Sequence, residues 1–420
     1  MTPYLQQRAL YPPLIGKRPS INLGIVVVIP AYREEYLLLT LMSLKKCALP
    51  DCDVEVIVVV NDSERDSDAT RELNLGIYRQ AMEWSRKHLE PRFKFYILYQ
   101  DYLPARHAGV GLARKIGMDE AVYRFEKIRN PKGVIVCFDA DSRCAKNYLQ
   151  AIEAHFRLFD KSPACAIHFE HPLSGYEHEP KVYAAIAEYE LHLRYYTHIQ
   201  RFTGFPFATD TIGSSMAVRA NAYQQQGGMN KRKAGEDFYF LHKFSSLKYF
   251  TQLHDTCVYP SPRLSDRVPF GTGRAIQEIL KSKESYSTYA PQSFVDLKCF
   301  FDDVNTLLEK EQSLDVRLAS WPESVSSFLQ MINWTKHIRE IQQHTKSPAQ
   351  FRKRFFRWFN AFQIMKFAHH CRDQFYPNVP VAEAAHWLLK RQHGLDLEKD
   401  VNSLLWKYRA LEKSMQLNTL

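Results

Sequence analysis

Leu23-Gly24-Ile25-Val26-Val27-Val28-Ile29-Pro30-Ala31-Tyr32-Arg33-Glu34-Glu35 is the stretch on which the fold turns. Aliphatic and β-branched residues run almost unbroken to Ile29 and then give way to proline, tyrosine and charge. That is how a strand covered on both faces reads when it ends in a polar turn. The figure recurs at Val54–Val60, Phe93–Tyr99, Val134–Phe138 and Ala164–Phe169, with amphipathic stretches at about 34–46, 69–88, 111–127 and 147–158. Short apolar runs alternating with helix-length segments predict an α/β fold, a Rossmann-like, mainly parallel sheet flanked by helices.

Farther along, Val182, Ile186, Tyr189, Leu193 and Tyr196 have helical spacing, and Gly204 to Met229 is broken into loops and a short strand. From about 275 helix-period segments dominate, at 296–310, 323–343, 348–373 and 380–415. The expected organisation is an N-terminal extension (1–21), an α/β domain (22–270) and an α-helical C-terminal region (271–420).

With 45% hydrophobic and 24% charged residues over 420 positions, the chain is globular, not disordered. Lys and Arg (56) exceed Asp and Glu (46), giving +10, which favours anionic ligands without choosing among them. No apolar run approaches the roughly 18 to 20 residues of a membrane span, and no leader pattern opens the chain, so a cytoplasmic location is expected. Eight scattered cysteines without a CxxC pair predict reduced thiols and no zinc site.

In a parallel sheet, ligands bind beyond the carboxyl ends of the strands. There the sequence places Pro30 to Glu35, then Asn61-Asp62-Ser63, then Asp139-Ala140-Asp141-Ser142. Asp139 and Asp141, two apart, can converge on a hard cation, Mg²⁺ or Mn²⁺, that neutralises a departing nucleoside diphosphate. Gly235-Glu236-Asp237 reads as a helix start, with Asp237 as a candidate general base. His254, a short helix farther on, is a further candidate metal ligand. Arg106 to Lys115 is a basic, glycine-containing segment suited to phosphate. The loop Ser261 to Arg274 carries Arg263 and Arg267, placed to cover a diphosphate. Arg352-Lys353-Arg354-Phe355-Phe356-Arg357-Trp358, in a basic-aromatic helix near 351–367, suits peripheral contact with the inner face of an anionic membrane or simple packing of its aromatics. No nucleic-acid motif is present.

Taken in order, Val28 to Glu34, Val59 to Ser63, Gly111-Leu112-Ala113-Arg114-Lys115-Ile116-Gly117, Phe138 to Ser142 and Gly235 to Asp237 resemble the family 2 glycosyltransferases of GT-A fold, over about residues 22–260. The resemblance implies an inverting, single-displacement transfer of one hexosyl or hexosaminyl unit. The donor would be a UDP- or GDP-type sugar and the acceptor a hydroxyl on a glycan, a lipid-linked glycan or a small molecule. It implies a nucleotide pocket lined by Pro30, Ala31, Tyr32, Glu34 and Asp62. Arg114 would lie at the nucleotide or its diphosphate, Asp139 and Ala140 at ribose or metal, and Asp141 on the metal. Asp237, with Glu236 beside it, would be the catalytic base. Asn61 stands where the family often has Asp, and Arg33 where Asn is common. The Gln-x-x-Arg-Trp sequence and membrane helices of processive synthases are missing, which implies a non-processive enzyme. The competing reading is a non-catalytic protein that keeps the sheet and binds a glycan or a partner.

Overall fold

The computed structural model describes residues 2–265, 267, 271–282, 284–308 and 313–415. Part of the arginine-rich loop (266, 268–270), the expected boundary at 270/271 and the end of the 296–310 helix therefore fall on or beside positions outside the described residues. The chain divides into two compact units, Met1–Glu179 with Thr211–Gln277 and Glu412–Leu420, and Pro180–Asp210 with Glu278–Leu411.

The first unit is built on strands β1 (Leu23–Ala31), β2 (Asp53–Ser63), β3 (Phe93–Leu103), β4 (Val134–Cys137), β5 (Arg143–Cys144), β6 (Ala164–Phe169), β7 (Met216–Arg219) and β8 (Thr251–Tyr259). They form one sheet in the order β3-β2-β1-β4-β7-β6-β8-β5. β1 pairs in parallel with β2 and β4, β2 with β3, and β6 with β8, while β7 is antiparallel to both β4 and β6, and β5 to β8. Six strands thus share one direction, and only β5 and β7 are reversed. The expectation of a mainly parallel sheet is met, and the C-terminal ends of β1, β2, β4, β6 and β8 all open on one edge.

Packed on the sheet are α2 (Leu37–Lys45), α3 (Asp68–Lys87), α4 (Val110–Lys127) and α5 (Tyr148–Leu158), and α1 (Pro3–Gln7) packs on α4. α4 lies against β1 and β2 because Gly117 has no side chain there: a Cβ would stand 2.5 Å from Val28 Cγ1. This close approach buries α4 from Gly111 to Phe125, charged residues included. β8 was not foreseen, since Thr251-Gln252-Leu253-His254-Asp255-Thr256 has one apolar residue in six and so shows neither the unbroken apolar run nor the alternation by which a strand is read.

The second unit is helical. α6 (Pro180–Phe202), expected within the α/β domain, packs with the helices Pro291–Asp302 and Val381–His393. Its ordering group is Glu190, wholly buried and held by Arg194 and Arg409 at 2.8 Å each. The long helices expected here are interrupted. Asn333, in the left-handed region (φ 51°), separates Glu323–Met331 from Trp334–Gln343. Asn360 caps Ala361–Gln374 by accepting from the Phe362 and Gln363 N–H groups, which ends Pro348–Trp358 ahead of it. Gly394 (φ 66°) stops Val381–His393 before Val401–Ser414.

Candidate functional site

Turns at the shared strand edge bring the acidic residues into two neighbouring groups. After β4, the Ser142 N–H donates to the Asp139 carbonyl at 3.1 Å. Thr40 Oγ1 of α2 donates to the Ala140 carbonyl at 2.8 Å, pinning the segment between the two aspartates.

The first group centres on Arg114. Its side chain is 1% exposed, and its guanidinium donates through one Nη to Asp139 at 2.5 Å and through the other to Glu236. Glu236 and Asp237 open α7 (Glu236–Ser245), whose N-cap Gly235 takes φ 67°, where a side chain is strained. The Phe238 N–H donates to Asp237 Oδ1 at 2.7 Å. Gly213 closes the group: a Cβ there would lie 3.0 Å from an Arg114 Nη and 3.3 Å from Asp237 Oδ2. Burial, followed by the charge of Glu236, pushes the Asp237 carboxyl up to about 7 despite Arg114. Burial likewise raises Asp139 to about 6; Arg114 opposes the shift and Asp141 adds to it. About a third of the Asp139 side chain is open by area, but its carboxyl sits among these charged neighbours at the floor of the strand edge.

The second group joins the turn after β1 to the segment after β8. Glu34, 1% exposed, takes the Arg263 guanidinium and the Arg267 Nη1, the latter at 3.0 Å. Arg263 Nε also donates to Asp141 Oδ2 at 2.7 Å, and Arg267 Nη1 donates to the Tyr32 carbonyl at 2.7 Å. Burial first, then Asp141, lifts the Glu34 carboxyl to about 7, while Arg263 pulls it back. Arg33 holds its turn at φ 52°, its N–H donating to Asn74 Oδ1 at 2.8 Å. The arginine pair expected to cover a diphosphate thus neutralises carboxylates here.

Asp62 is wholly buried at the end of β2, accepting from Tyr99 Oη at 2.5 Å and from the Tyr102 N–H at 2.7 Å. Each oxygen keeps lone-pair capacity for a further donor. Pro30 and Ala31 end β1 opposite Val59 and Val60. The sequence reading did not foresee Tyr99, Tyr102 or Gly213, whose roles depend on approaches made only in the folded chain.

Two expectations change. In the segment 106–115, Lys115 pairs with Asp119 at 2.9 Å, and Gly109 and Gly111 face the backbone of Lys233 and Arg232. The segment is packed against protein and its Arg114 reaches carboxylates, so it is not an open phosphate cradle. His254 sits within β8, its Nε2 3.2 Å from Gln252 Oε1 and its ring 5.9 Å from that of His168. Among the described residues, the one group of three metal-ligating side chains is His168, Glu170 and Cys257, so the structure does not bring His254 together with Asp139 and Asp141. In the basic-aromatic helix, Phe351, Phe355 and Phe356 are buried, while Lys353, Arg354, Arg357 and Trp358 line a groove of about 850 Å³. No helix among the described residues is long and apolar enough to cross a membrane.

Residues 26–227 match the family model described as Glycosyl transferase family 2. A comparison with curated proteins finds no match. Among solved structures, the chain is similar to residues 1–349 of S. aureus TarS, at 15% identity and a TM-score of 0.38, covering 80% of this chain and 92% of that one. It is similar to the complex of TarS with UDP-GlcNAc at 15% and 0.37, covering 93% and 88%. For the TarS complex with UDP the figures are 14% and 0.39, covering 80% and 92%.

Proposed function

We propose a reaction from one premise, that residues 26–227 are a glycosyl transferase family 2 domain and the chain is a glycosyltransferase. It transfers a single sugar from a nucleoside diphosphate sugar to a hydroxyl acceptor, with inversion, and Asp237 is the general base. The observation that carries this reading is a carboxyl held at about 7 in the group that also contains Asp139. A base of that strength is half ionised near neutrality, where proton removal in the transition state is most effective. Gly213 leaves the space beside its Oδ2, and Arg114 fixes Asp139 and Glu236 on either side.

A divalent cation fits these residues. Asp139 and Asp141 offer hard oxygen donors, and Glu34, Asp139, Asp141, Glu236 and Asp237 are five carboxyl groups against the three guanidinium groups of Arg114, Arg263 and Arg267. The excess negative charge would repel a diphosphate unless a cation offsets it. Such an ion, Mg²⁺ or Mn²⁺ held by Asp139 and Asp141, supplies charge stabilisation to the leaving diphosphate. The chain's own residues do the rest. Asp62, Tyr32 and Glu34 border the nucleotide pocket. Arg263 and Arg267 exchange their carboxylate partners for the diphosphate as it enters. Asp237 accepts the acceptor's hydroxyl proton as the oxygen attacks the anomeric carbon and the bond to the diphosphate breaks.

We place the enzyme in the cytoplasm, with the basic groove of Pro348–Trp358 as its contact with an anionic membrane. Calorimetry with a panel of nucleoside diphosphates and sugar nucleotides, with and without Mn²⁺, tests the reading. Binding that strengthens with Mn²⁺ and loses that increment in Asp141→Ala supports it; the same affinities in that variant refute the metal assignment.

A further inference from the structure

We propose that His168, Glu170 and Cys257 form a second metal site, of zinc type, separate from the acidic group around Asp139 and Asp141. His168 and Glu170 lie two apart at the end of β6, so they face the same side, and β8 runs beside them in parallel with Phe169 opposite Val258. The Glu170 N–H donates to the Val258 carbonyl at 2.9 Å, which sets Cys257 against the pair. One ligand atom from each of the three lies within 4.8 Å of the others. His168 Nε2 and Glu170 Oε1 are already 3.0 Å apart. Ligands at zinc–nitrogen, zinc–oxygen and zinc–sulfur lengths on a tetrahedron stand about 3.3 to 3.8 Å from one another. The widest separation, 4.8 Å, exceeds that spacing by about 1 Å.

Burial and donor chemistry point the same way. The His168 side chain is 1% exposed and that of Glu170 10%, and Cys257 is 7% exposed, so this is not a solvated cluster of surface acids. Nitrogen, carboxylate oxygen and sulfur together suit a borderline-soft ion, where the all-oxygen group at Asp139 and Asp141 suits a hard one. The ring also has the support usual for a metal-bound histidine. Its other nitrogen, Nδ1, faces Glu412 Oε2 at 3.4 Å, and the Glu412 side chain is 2% exposed. A carboxylate in that position fixes the ring and its tautomer and leaves Nε2 to the ion. Lys413 Nζ sits 2.6 Å from Glu170 Oε1, but its side chain is half exposed and can withdraw to water when an ion takes its place. Binding releases the Cys257 thiol proton to solvent, and water completes the coordination. The site ties the end of β6 to the end of β8, the strand that leads directly to Arg263.

The full chain, stripped with a chelator and equilibrated with zinc alone, is assayed for metal content after dialysis. The wild type and Asp141→Ala should each retain close to one zinc per chain, and Cys257→Ser and His168→Gln should retain none. Glu412→Gln should weaken zinc affinity about 10- to 100-fold. Cobalt(II) in the wild type should give a sulfur-to-metal charge-transfer band that Cys257→Ser lacks. A wild type that loses all its zinc on dialysis, or that binds cobalt without that band, overturns the proposal. Should Cys257→Ser fail to fold, the cobalt spectrum of the wild type decides alone. Because Asp141→Ala leaves this site intact, failure here and failure of the metal assignment at the acidic group are read separately.

Discussion

Asp237→Asn removes the carboxyl that the first acidic group lifts furthest, to about 7 against about 6 for Asp139, and its consequence can be worked in advance. Burial and the Glu236 charge hold the acid form, and its carboxyl titrates near 7. At pH 6 about a tenth of the base is ionised and at pH 5 about a hundredth, so kcat/KM for nucleoside diphosphate release should fall about tenfold per pH unit below 7. Asparagine keeps an oxygen for the Phe238 N–H, which stands 2.7 Å from Oδ1, so the helix start is retained while the base is lost. Turnover should then drop about 10²- to 10⁴-fold with the acid limb abolished. Arg114→Met supplies an internal check. Arg114 lowers the Asp237 pKa, so its removal should move the acid limb to higher pH. The assay is nucleotide release from the sugar nucleotide that calorimetry selects, at saturating Mn²⁺ and pH 5 to 9. A wild-type profile flat from pH 5 to 8, or an Asp237→Asn enzyme within a few-fold of wild type, would refute the assignment of the base.

Arg114→Met should also cost about 3 to 5 kcal/mol of stability by leaving Asp139 and Glu236 without their shared buried cation, read as a lowered melting temperature. Arg263→Ala with Arg267→Ala should weaken diphosphate binding and raise the Glu34 carboxyl further, since Arg263 now pulls it down; wild-type affinity in calorimetry would contradict the exchange of partners. Asp237 binds its proton more tightly in the folded chain than in the unfolded one, so its contribution to folding is most favourable below about pH 4 and is lost as the pH rises to about 7. Asp237→Asn should therefore gain in melting temperature over the metal-free wild type across that window, and a constant difference would contradict the raised pKa.

The sheet was legible because burial on both faces demands unbroken apolar runs, and Leu23–Ile29 or Val54–Val60 cannot be satisfied any other way. Acidic residues at strand ends were legible for the same reason: once β1, β2 and β4 are placed in parallel, Glu34, Asp62, Asp139 and Asp141 must share an edge. What the sequence did not disclose is pairing across distance. Arg114 reads as a phosphate ligand until Gly117 lets α4 settle onto β1, after which the buried guanidinium must meet carboxylates, and Glu236 lies more than a hundred residues away. The grouping of His168 and Glu170 with Cys257 left no spacing to read because its members are split between β6 and β8, and β8 itself was too irregular in pattern to be seen. The helical unit went the same way: asparagine and glycine at 333, 360 and 394 break periods that hydrophobic spacing alone carries straight through. Where one residue's neighbours fix its role the sequence sufficed; where the role belongs to a contact, as at Arg114, only the folded chain assigns it.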